Sequence, residues 1–574
     1  MCRALLAFVS TGALVMAQDK GTENTSGTSQ TQDIASLKAM IAAQQKQLDA
    51  LKQALDNQQK LLDQAAASTT SAASTVAASA TPTDKITPPN VGQVASIAPI
   101  FPAVAPATLA ALPAIPVPQA APAASSGGNP CEAPTDTKVP AYIRIGSTCV
   151  VPVGFMDLTS VWRSKDVGSS IGTTFANIPF NNVAAGRLSE FHLSPQNSRL
   201  GFRVDGDWKG AHFIGYNEID FNGTSGGNNL TTTNGSFVPR IRLFWVDVRK
   251  GDIEFLAGQS WSFLTPNRKG LSALPGDLFY GQEVDLNYLT GLTWDRQPGA
   301  RVIYHPNDKV AIGVAVENPD AYIGGSSGGP SITLPSALAA ITPTDVSSAS
   351  NNNGNQTTAD FMPDFIAKIA FDPTSRIHFE VAGLQSTFRT WNPNTNLYYK
   401  AIGAGGSANL MLGLTDNFRL TSTNFWSDGG GRYLFGQAPD MIIRADGSIS
   451  PVHAGGFTEG FEANVKNTLL YGYWGGTYVG RDVALDANGT TLIGYGFRGS
   501  ANTNNRMIQE VTFGFNQTIW KNPAYGAINF MGQYMYEVRA PWYYSLNEAG
   551  GKGTQASTIY FNVRYTLPGS MPKF

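Results

Sequence analysis

Charged residues, histidines and enzyme motifs are scarce in this chain of 574 residues. Only 14% of the residues are charged and the formal net charge is −2, which argues against a nucleic-acid-binding protein, because such proteins carry a strongly basic surface. The five histidines stand singly along the chain, and neither a Walker A nor an H-E-x-x-H motif occurs. We therefore expect no enzymatic activity, no cofactor and no bound metal.

Long apolar runs are also missing. No stretch after the N-terminus approaches the ~20 consecutive apolar residues that a transmembrane helix needs. The short apolar run from Ala4 to Met16 follows Arg3 and ends at the small residue Ala17, which is the pattern of a secretory signal peptide over residues 1–17. An exported chain of this kind is periplasmic, extracellular or an outer-membrane barrel.

Cysteine is rare, with three residues in the whole chain. Cys2 falls within the predicted signal peptide, which leaves Cys131 and Cys149 in an oxidising compartment. We expect these two to form a disulfide; the alternative is a pair of free thiols. Metal binding is poorly supported because no histidine lies nearby.

Residues 18–65 contain a heptad pattern. An apolar residue recurs every seven positions, at Ile34, Ile41, Leu48, Leu55 and Leu62. This spacing predicts a short coiled-coil helix that associates with copies of itself; the alternative is one amphipathic helix lying on another surface. Residues 66–136 are rich in Pro, Ala and Ser and predict an extended linker.

Residues 137–574 consist of segments that alternate between polar and apolar side chains. Ile559, Phe561 and Val563 lie on one face of a strand, and Asn562 and Arg564 on the other. The polar faces carry large charged residues, and the apolar faces carry many aromatic residues. Both features favour an all-β transmembrane antiparallel β-barrel over a soluble β-sandwich. Roughly 430 residues at this spacing predict about 16 strands, with 14 or 18 as the alternatives.

Connections between the segments alternate in length. Residues 296–299 and 521–523 resemble tight turns, whereas residues 163–186, 322–359 and 427–456 are long loops rich in Gly, Ser and Asn. Short periplasmic turns and long external loops are typical of outer-membrane barrels. Residues 264–285 form another long connection, which either folds into the pore and narrows it or lies outside.

Arginine and carboxylate side chains occupy the polar faces of several predicted strands. If Leu200 and Phe202 face lipid, Arg199 and Arg203 face the lumen; if Ile241, Leu243 and Trp245 face lipid, Arg240 and Arg242 are luminal. Arg296 and Arg301 flank a predicted turn near the periplasmic mouth. The pore-lining candidates are Arg199, Arg203, Glu218, Asp220, Arg240, Arg242, Arg296 and Arg301. These arginines either select permeating ions or pair with the carboxylates and stabilise the wall.

Short sequence motifs within the predicted barrel occur in the order found in a known family. The motifs span residues 197–202, 218–221, 240–243, 256–262, 295–298 with Arg301, 316–319 and 362–365. In these motifs, and in the order of signal peptide, coiled coil, linker and barrel, the chain resembles the DcaP-like trimeric porins. The resemblance implies a homotrimer in the outer membrane that passes small, often anionic, solutes.

Three hypotheses follow for function. The first is a trimeric porin in a Gram-negative outer membrane, surrounded by lipid, with its N-terminal extension in the periplasm. The second is an envelope tether, in which the extension contacts the cell wall and the barrel is an anchor. The third, a barrel enzyme with a Ser/His/Asp cluster at one rim, is disfavoured because the sequence yields no such cluster.

Overall fold

The computed structural model describes residues 142–223, 237–279, 282–324, 331–339, 361–522, 524–543 and 553–568. The predicted signal peptide, coiled-coil helix and linker lie outside the described residues, as does Cys131. Cys149 is fully buried and takes part in a disulfide. Its pairing with Cys131 remains a prediction.

The described chain is almost entirely β-structure. The strands are β1 (Ile143–Ile145), β2 (Thr148–Arg163), β3 (Glu190–Ser194), β4 (Arg199–Trp208), β5 (Ala211–Gly223), β6 (Val238–Lys250), β7 (Ile253–Trp261), β8 (Arg296–Asn307), β9 (Val310–Glu317), β10 (Asp364–Thr374), β11 (Ile377–Asn392), β12 (Leu397–Gly413), β13 (Phe418–Asp428), β14 (Met441–Ile443), β15 (Ile449–Pro451), β16 (His453–Val465), β17 (Thr468–Val479), β18 (Asp482–Leu485), β19 (Leu492–Tyr495), β20 (Asn505–Asn522), β21 (Gly526–Pro541) and β22 (Thr554–Thr566). Four short 3-10 turns, Phe175–Asn177, Ala184–Gly186, Pro275–Asp277 and Gly431–Tyr433, lie in the loops. No helix among the described residues is long and apolar enough to cross a membrane.

The wall is a closed antiparallel barrel of 16 strands, which confirms the predicted fold class and strand number. Strand β2 closes it by pairing with β22 on one side, where Phe155 lies opposite Thr566. On its other side β2 pairs with β4 and then with β3, which together form one wall strand interrupted at residues 195–198. The small hairpins β14–β15 and β18–β19 belong to loops at one end.

Alternating burial gives the wall two chemically different faces. Leu200 and Phe202 are exposed on the outer face of β4, whereas Arg199 and Asp205 are buried on the inner face. Successive side chains of a strand point to opposite faces, so the period-two pattern of the sequence is the pattern of the wall. The predicted placement of Arg199 and Arg203 on the inner face agrees with this geometry.

A β-bulge in β6 breaks the alternation. Glu218 on β5 pairs with Leu243 and the next residue, Ile219, pairs with Ile241, which leaves Arg242 as an extra residue. Arg242 therefore faces inward, as predicted, but Leu243 and Trp245 are also buried inside the barrel. The expectation that Leu243 and Trp245 face lipid was wrong, because the bulge shifts the face of every later side chain on this strand.

Short turns join the strands at one end of the barrel and long loops at the other. The predicted turn after Lys521 is confirmed, since β20 ends at Asn522 and β21 begins at Gly526. The predicted turn at residues 296–299 was wrong, because these residues open β8 and pair with β7 and β9 at the long-loop end. Arg296 and Arg301 therefore do not flank a turn at the opposite mouth.

The long loops pack together inside the mouth of the barrel. Residues 262–295, here called the inner loop, contribute Phe263, Leu264 and Leu271 to a buried apolar cluster. Residues 429–452 and 480–504 add Tyr433, Ile442 and Tyr495 to the same cluster. Burial of these apolar side chains holds the loops in the barrel rather than above it.

The outer face is expected to contact hydrocarbon. Changing Ile369, in the middle of β10 and exposed outward, to Arg should lower the free energy of unfolding by about 2–4 kcal/mol, because a guanidinium at mid-membrane is poorly solvated. Urea unfolding in lipid vesicles measures this loss. The control Val465→Arg, at the end of β16, should cost only about 0–1 kcal/mol. Equal losses at the two positions would contradict a membrane-embedded wall.

Candidate permeation pathway

The inner loop crosses the interior and is anchored to strands far apart around the wall. The Asn267 backbone N–H donates to Glu380 of β11 at 3.1 Å, and the Thr290 backbone N–H donates to Glu510 of β20 at 3.1 Å. Inward carboxylates thus satisfy loop N–H groups that have no strand partner. Of the two alternatives for this connection, residues 264–279 and 282–285 fold into the barrel.

Five predicted pore residues form one charged cluster, here called the β4–β6 cluster: Arg199, Glu218, Asp220, Arg240 and Arg242. Arg242 donates to Glu218 at 2.7 Å and to Asp220 at 2.9 Å. Arg240 donates to Asp220 at 2.7 Å, and a nitrogen of Arg199 lies 3.6 Å from Glu218. The pairing of β5 with β6 places two arginines against two carboxylates, and the bulge leaves Arg242 between Glu218 and Asp220, within reach of both.

Aromatic residues of the inner loop and β7 complete the β4–β6 cluster. Arg199 and Arg242 both donate to the hydroxyl of Tyr288, at 3.3 Å and 3.2 Å. Burial raises the pKa of Tyr288, but the two arginines outweigh burial and leave that pKa below its ordinary value. The guanidinium groups of Arg242 and Arg296 lie 5.7 Å and 5.8 Å from the ring centroid of Trp261. Arg296 therefore joins this cluster.

A second charged group was not predicted. Glu462 of β16 accepts hydrogen bonds from Arg268 of the inner loop at 3.0–3.1 Å, and it is also paired with Arg419 of β13. The Tyr473 hydroxyl donates to the same carboxylate at 2.7 Å. These residues are far apart in sequence, and only the closure of the barrel and the fold of the inner loop bring them together.

Two further arginines pair with carboxylates on the inner wall. Arg203 donates to Asp205 at 2.6 Å, two residues away on the same strand face. Arg564 of β22 donates to Asp157 of β2 at 2.9 Å across the seam that closes the barrel. Arg301 is different, since it lies buried with its guanidinium 5.2 Å from the ring of Phe263. It therefore contacts the base of the inner loop and does not join the β4–β6 cluster.

In three of these ion pairs the arginine is much more exposed than its carboxylate partner. The side chain of Arg240 is 36% exposed and that of Asp220 0%; Arg419 is 29% exposed and Glu462 0%; Arg203 is 33% exposed and Asp205 5%. The arginines cover the carboxylates, so the interior presents guanidinium groups to solvent. In each of these three pairs the positive member is the more accessible one.

The described part of the chain contains no group of three or more His, Cys, Asp or Glu side chains arranged to hold a metal ion. Many of the charged residues on the inner wall form arginine–carboxylate pairs.

Comparison with known proteins shows the fold alone. No family model and no curated protein sequence matches the chain. Among solved structures, the outer membrane channel DcaP of Acinetobacter baumannii is similar, with a TM-score of 0.53, 14% identity, and coverage of 74% of this chain and 99% of that one. An anion-selective porin from Comamonas acidovorans also matches, with a TM-score of 0.40, 12% identity, and coverage of 73% and 99%.

The β4–β6 cluster should stabilise the barrel only while its charges balance. Changing Arg242 to Met should lower the free energy of unfolding by about 3–5 kcal/mol, because Glu218 and Asp220 would lose a buried counter-ion. Urea unfolding followed by tryptophan fluorescence measures the loss. The combined change Arg242→Met with Glu218→Gln should recover part of it. A double variant no more stable than the single one would count against charge balance as the cause.

Proposed function

We propose that the protein is an outer-membrane porin for the passive diffusion of small hydrophilic solutes, with a preference for anions. The observation that supports the preference is the exposure of arginine over buried carboxylate in each luminal pair compared above. A fixed positive surface in a narrow aqueous passage raises the local concentration of anions and excludes cations.

The charge balance of the two main groups supports the same preference. Among its five defining residues, the β4–β6 cluster has three arginines and two carboxylates, those of Glu218 and Asp220. In the second group, Arg268 and Arg419 both pair with Glu462. Among these named side chains, arginines outnumber carboxylates.

Pairing also makes these arginines suitable for passage rather than tight binding. A guanidinium has five N–H donors, so an arginine that donates to one carboxylate still has donors for a solute. The neighbouring carboxylate weakens its attraction for a passing anion. Moderate attraction at successive sites favours both entry and release, which a diffusion channel requires.

The oligomeric state and location belong to the same proposal. We infer a homotrimer in the outer membrane of a Gram-negative cell, surrounded by lipid, with the N-terminal extension in the periplasm. The heptads of residues 18–65 support self-association, and the signal-peptide pattern and two-faced wall support the location. Contact of the extension with the cell wall is the alternative role for that segment.

Ion selectivity tests the arginine surface directly. Changing Arg203, Arg240 and Arg419 together to Gln should move the reversal potential under a salt gradient toward cation preference, because the exposed cations would be lost while the carboxylates remain. Planar-bilayer recording measures the potential. The control Arg376→Gln removes an exposed arginine paired with Asp416 at a turn, and selectivity should stay unchanged. Cation preference in the unaltered protein would refute the proposal.

The extension can be tested by its removal. Deleting residues 18–130 should leave the conductance of each channel unchanged, because the described barrel closes on itself through β2 and β22. If the heptads maintain the trimer, cross-linking should show fewer trimers and conductance should cease to appear in steps of three. Loss of envelope cohesion with unaltered trimers would favour the tether role instead.

A further inference from the structure

The inner loop also contacts the wall at a buried cluster of four carboxyl groups. Glu283 and Asp285 of the inner loop approach Glu510 of β20 and Glu537 of β21, and we call these four residues the acidic seat. Glu510 and Glu537 are directly opposite each other in the β20–β21 register. Both are buried, with exposures of 1% and 0%. Two like charges so placed repel each other strongly.

The acidic seat has few compensating groups. Neither carboxylate oxygen of Glu537 has a hydrogen-bond partner among the described residues, and the same is true of the Oε1 atom of Glu283. Arg163 of β2 is a cation that acts on Asp285 and Glu537. Phenols also face the seat, those of Tyr471 and Tyr473 on β17 and of Tyr560 on β22. One guanidinium does not balance four ionised carboxylates in a buried site.

The acidic seat holds the second half of the inner loop. The Val284 backbone N–H donates to Gln533 of β21 at 2.7 Å, and the Tyr560 hydroxyl donates to Asp285 at 2.8 Å. With the Thr290 bond to Glu510, these contacts attach residues 284–290 to three neighbouring strands. Any charge that develops on the seat therefore acts directly on the position of the inner loop.

We propose that the acidic seat binds protons and that their loss releases the inner loop, so that the channel closes as the pH rises. When the acidic seat is protonated, Glu510 and Glu537 do not repel each other, and the inner loop stays against the wall. When these carboxyl groups ionise, Glu510 and Glu537 of the wall repel Glu283 and Asp285 of the inner loop. This repulsion moves the inner loop toward the lumen. The proposal rests on the proposed channel function and adds a regulation to it.

The direction of the pH dependence follows from the loop carboxyls. Burial, together with Glu510, Asp285 and Glu537, raises the pKa of Glu283 well above its ordinary value. Burial likewise raises the pKa of Asp285, although Thr173 and Asn287 donate hydrogen bonds that oppose the shift. A carboxyl with a raised pKa stabilises the seated loop at low pH. That stabilisation is lost as the pH rises through the raised pKa.

A hard divalent cation is the rival to the proton as the balancing charge. Carboxylate oxygens are the ligands that such ions prefer. In the ranges that the structure describes, however, no three acidic groups are positioned to ligate one ion. The proton needs no such arrangement, because two facing carboxylates can share it.

Single-channel recording of the full-length protein tests the proposal. We expect the conductance to fall reversibly as the pH rises from about 5 to about 10. Tyr288 also loses its proton within this range, so comparison with the carboxyl variants assigns the loss to the carboxyl groups. We expect Glu510→Gln with Glu537→Gln to lose this pH dependence and to keep the acidic-pH conductance throughout. The control Glu459→Gln changes a carboxyl group on the outer face of β16, where Glu459 accepts a hydrogen bond from Ser422, and this variant should close as the unaltered protein does.

The possible outcomes separate this proposal from the channel function. Conductance that is unaltered from pH 5 to pH 10, or an alkaline closure that persists in the double variant, would overturn the proton-binding seat while leaving the porin intact. If the double variant does not form a barrel, Glu283→Gln should still weaken the alkaline closure. Closure that follows addition of EDTA at constant pH, and is reversed by calcium, would assign the seat to a divalent cation instead.

Discussion

The structure depends on the requirement that every wall strand bond to neighbours on both sides. A membrane offers no partner for a free N–H or C=O group, so a sheet can cross it only when closed. Closure forces each strand to have one face outside and one inside. The outer faces carry side chains such as Phe202 and Ile369, and the inner faces collect nearly all of the ion pairs. Charge is therefore concentrated around the passage.

Closure has a second consequence for the charged interior. Inward carboxylates such as Glu218, Asp220 and Glu462 cannot reach bulk water, and each is stabilised by arginine. Longer arginine side chains extend past their shorter partners in the pairs of Arg203, Arg240 and Arg419, and there the exposed member is the cation. The same pairing thus stabilises the wall and gives the lumen its charge. The two alternatives that the sequence left open for these arginines are compatible.

The alternation of polar and apolar residues in the sequence predicted much of the fold. Alternation identified the barrel, its strand number and the inward direction of Arg199, Arg203, Arg240 and Arg242. It failed at Leu243 and Trp245, because a bulge adds one residue without any distinctive local sequence. It also failed at residues 296–299, where Pro298 and Gly299 suggest a turn but lie in the paired start of β8. Contacts such as Arg268 with Glu462 join distant segments, and periodicity carries no information about them.

The seam between β2 and β22 makes the order of folding important. Phe155 pairs with Thr566, so the barrel closes only when nearly the last described residues of the chain are present. The entropy of joining such distant segments opposes early closure, and barrels dominated by distant pairings fold slowly. Until β22 docks, the unpaired edges of β2 and β21 can form hydrogen bonds with strands of other chains. A chain of this design must therefore be protected from aggregation until its final strand has docked.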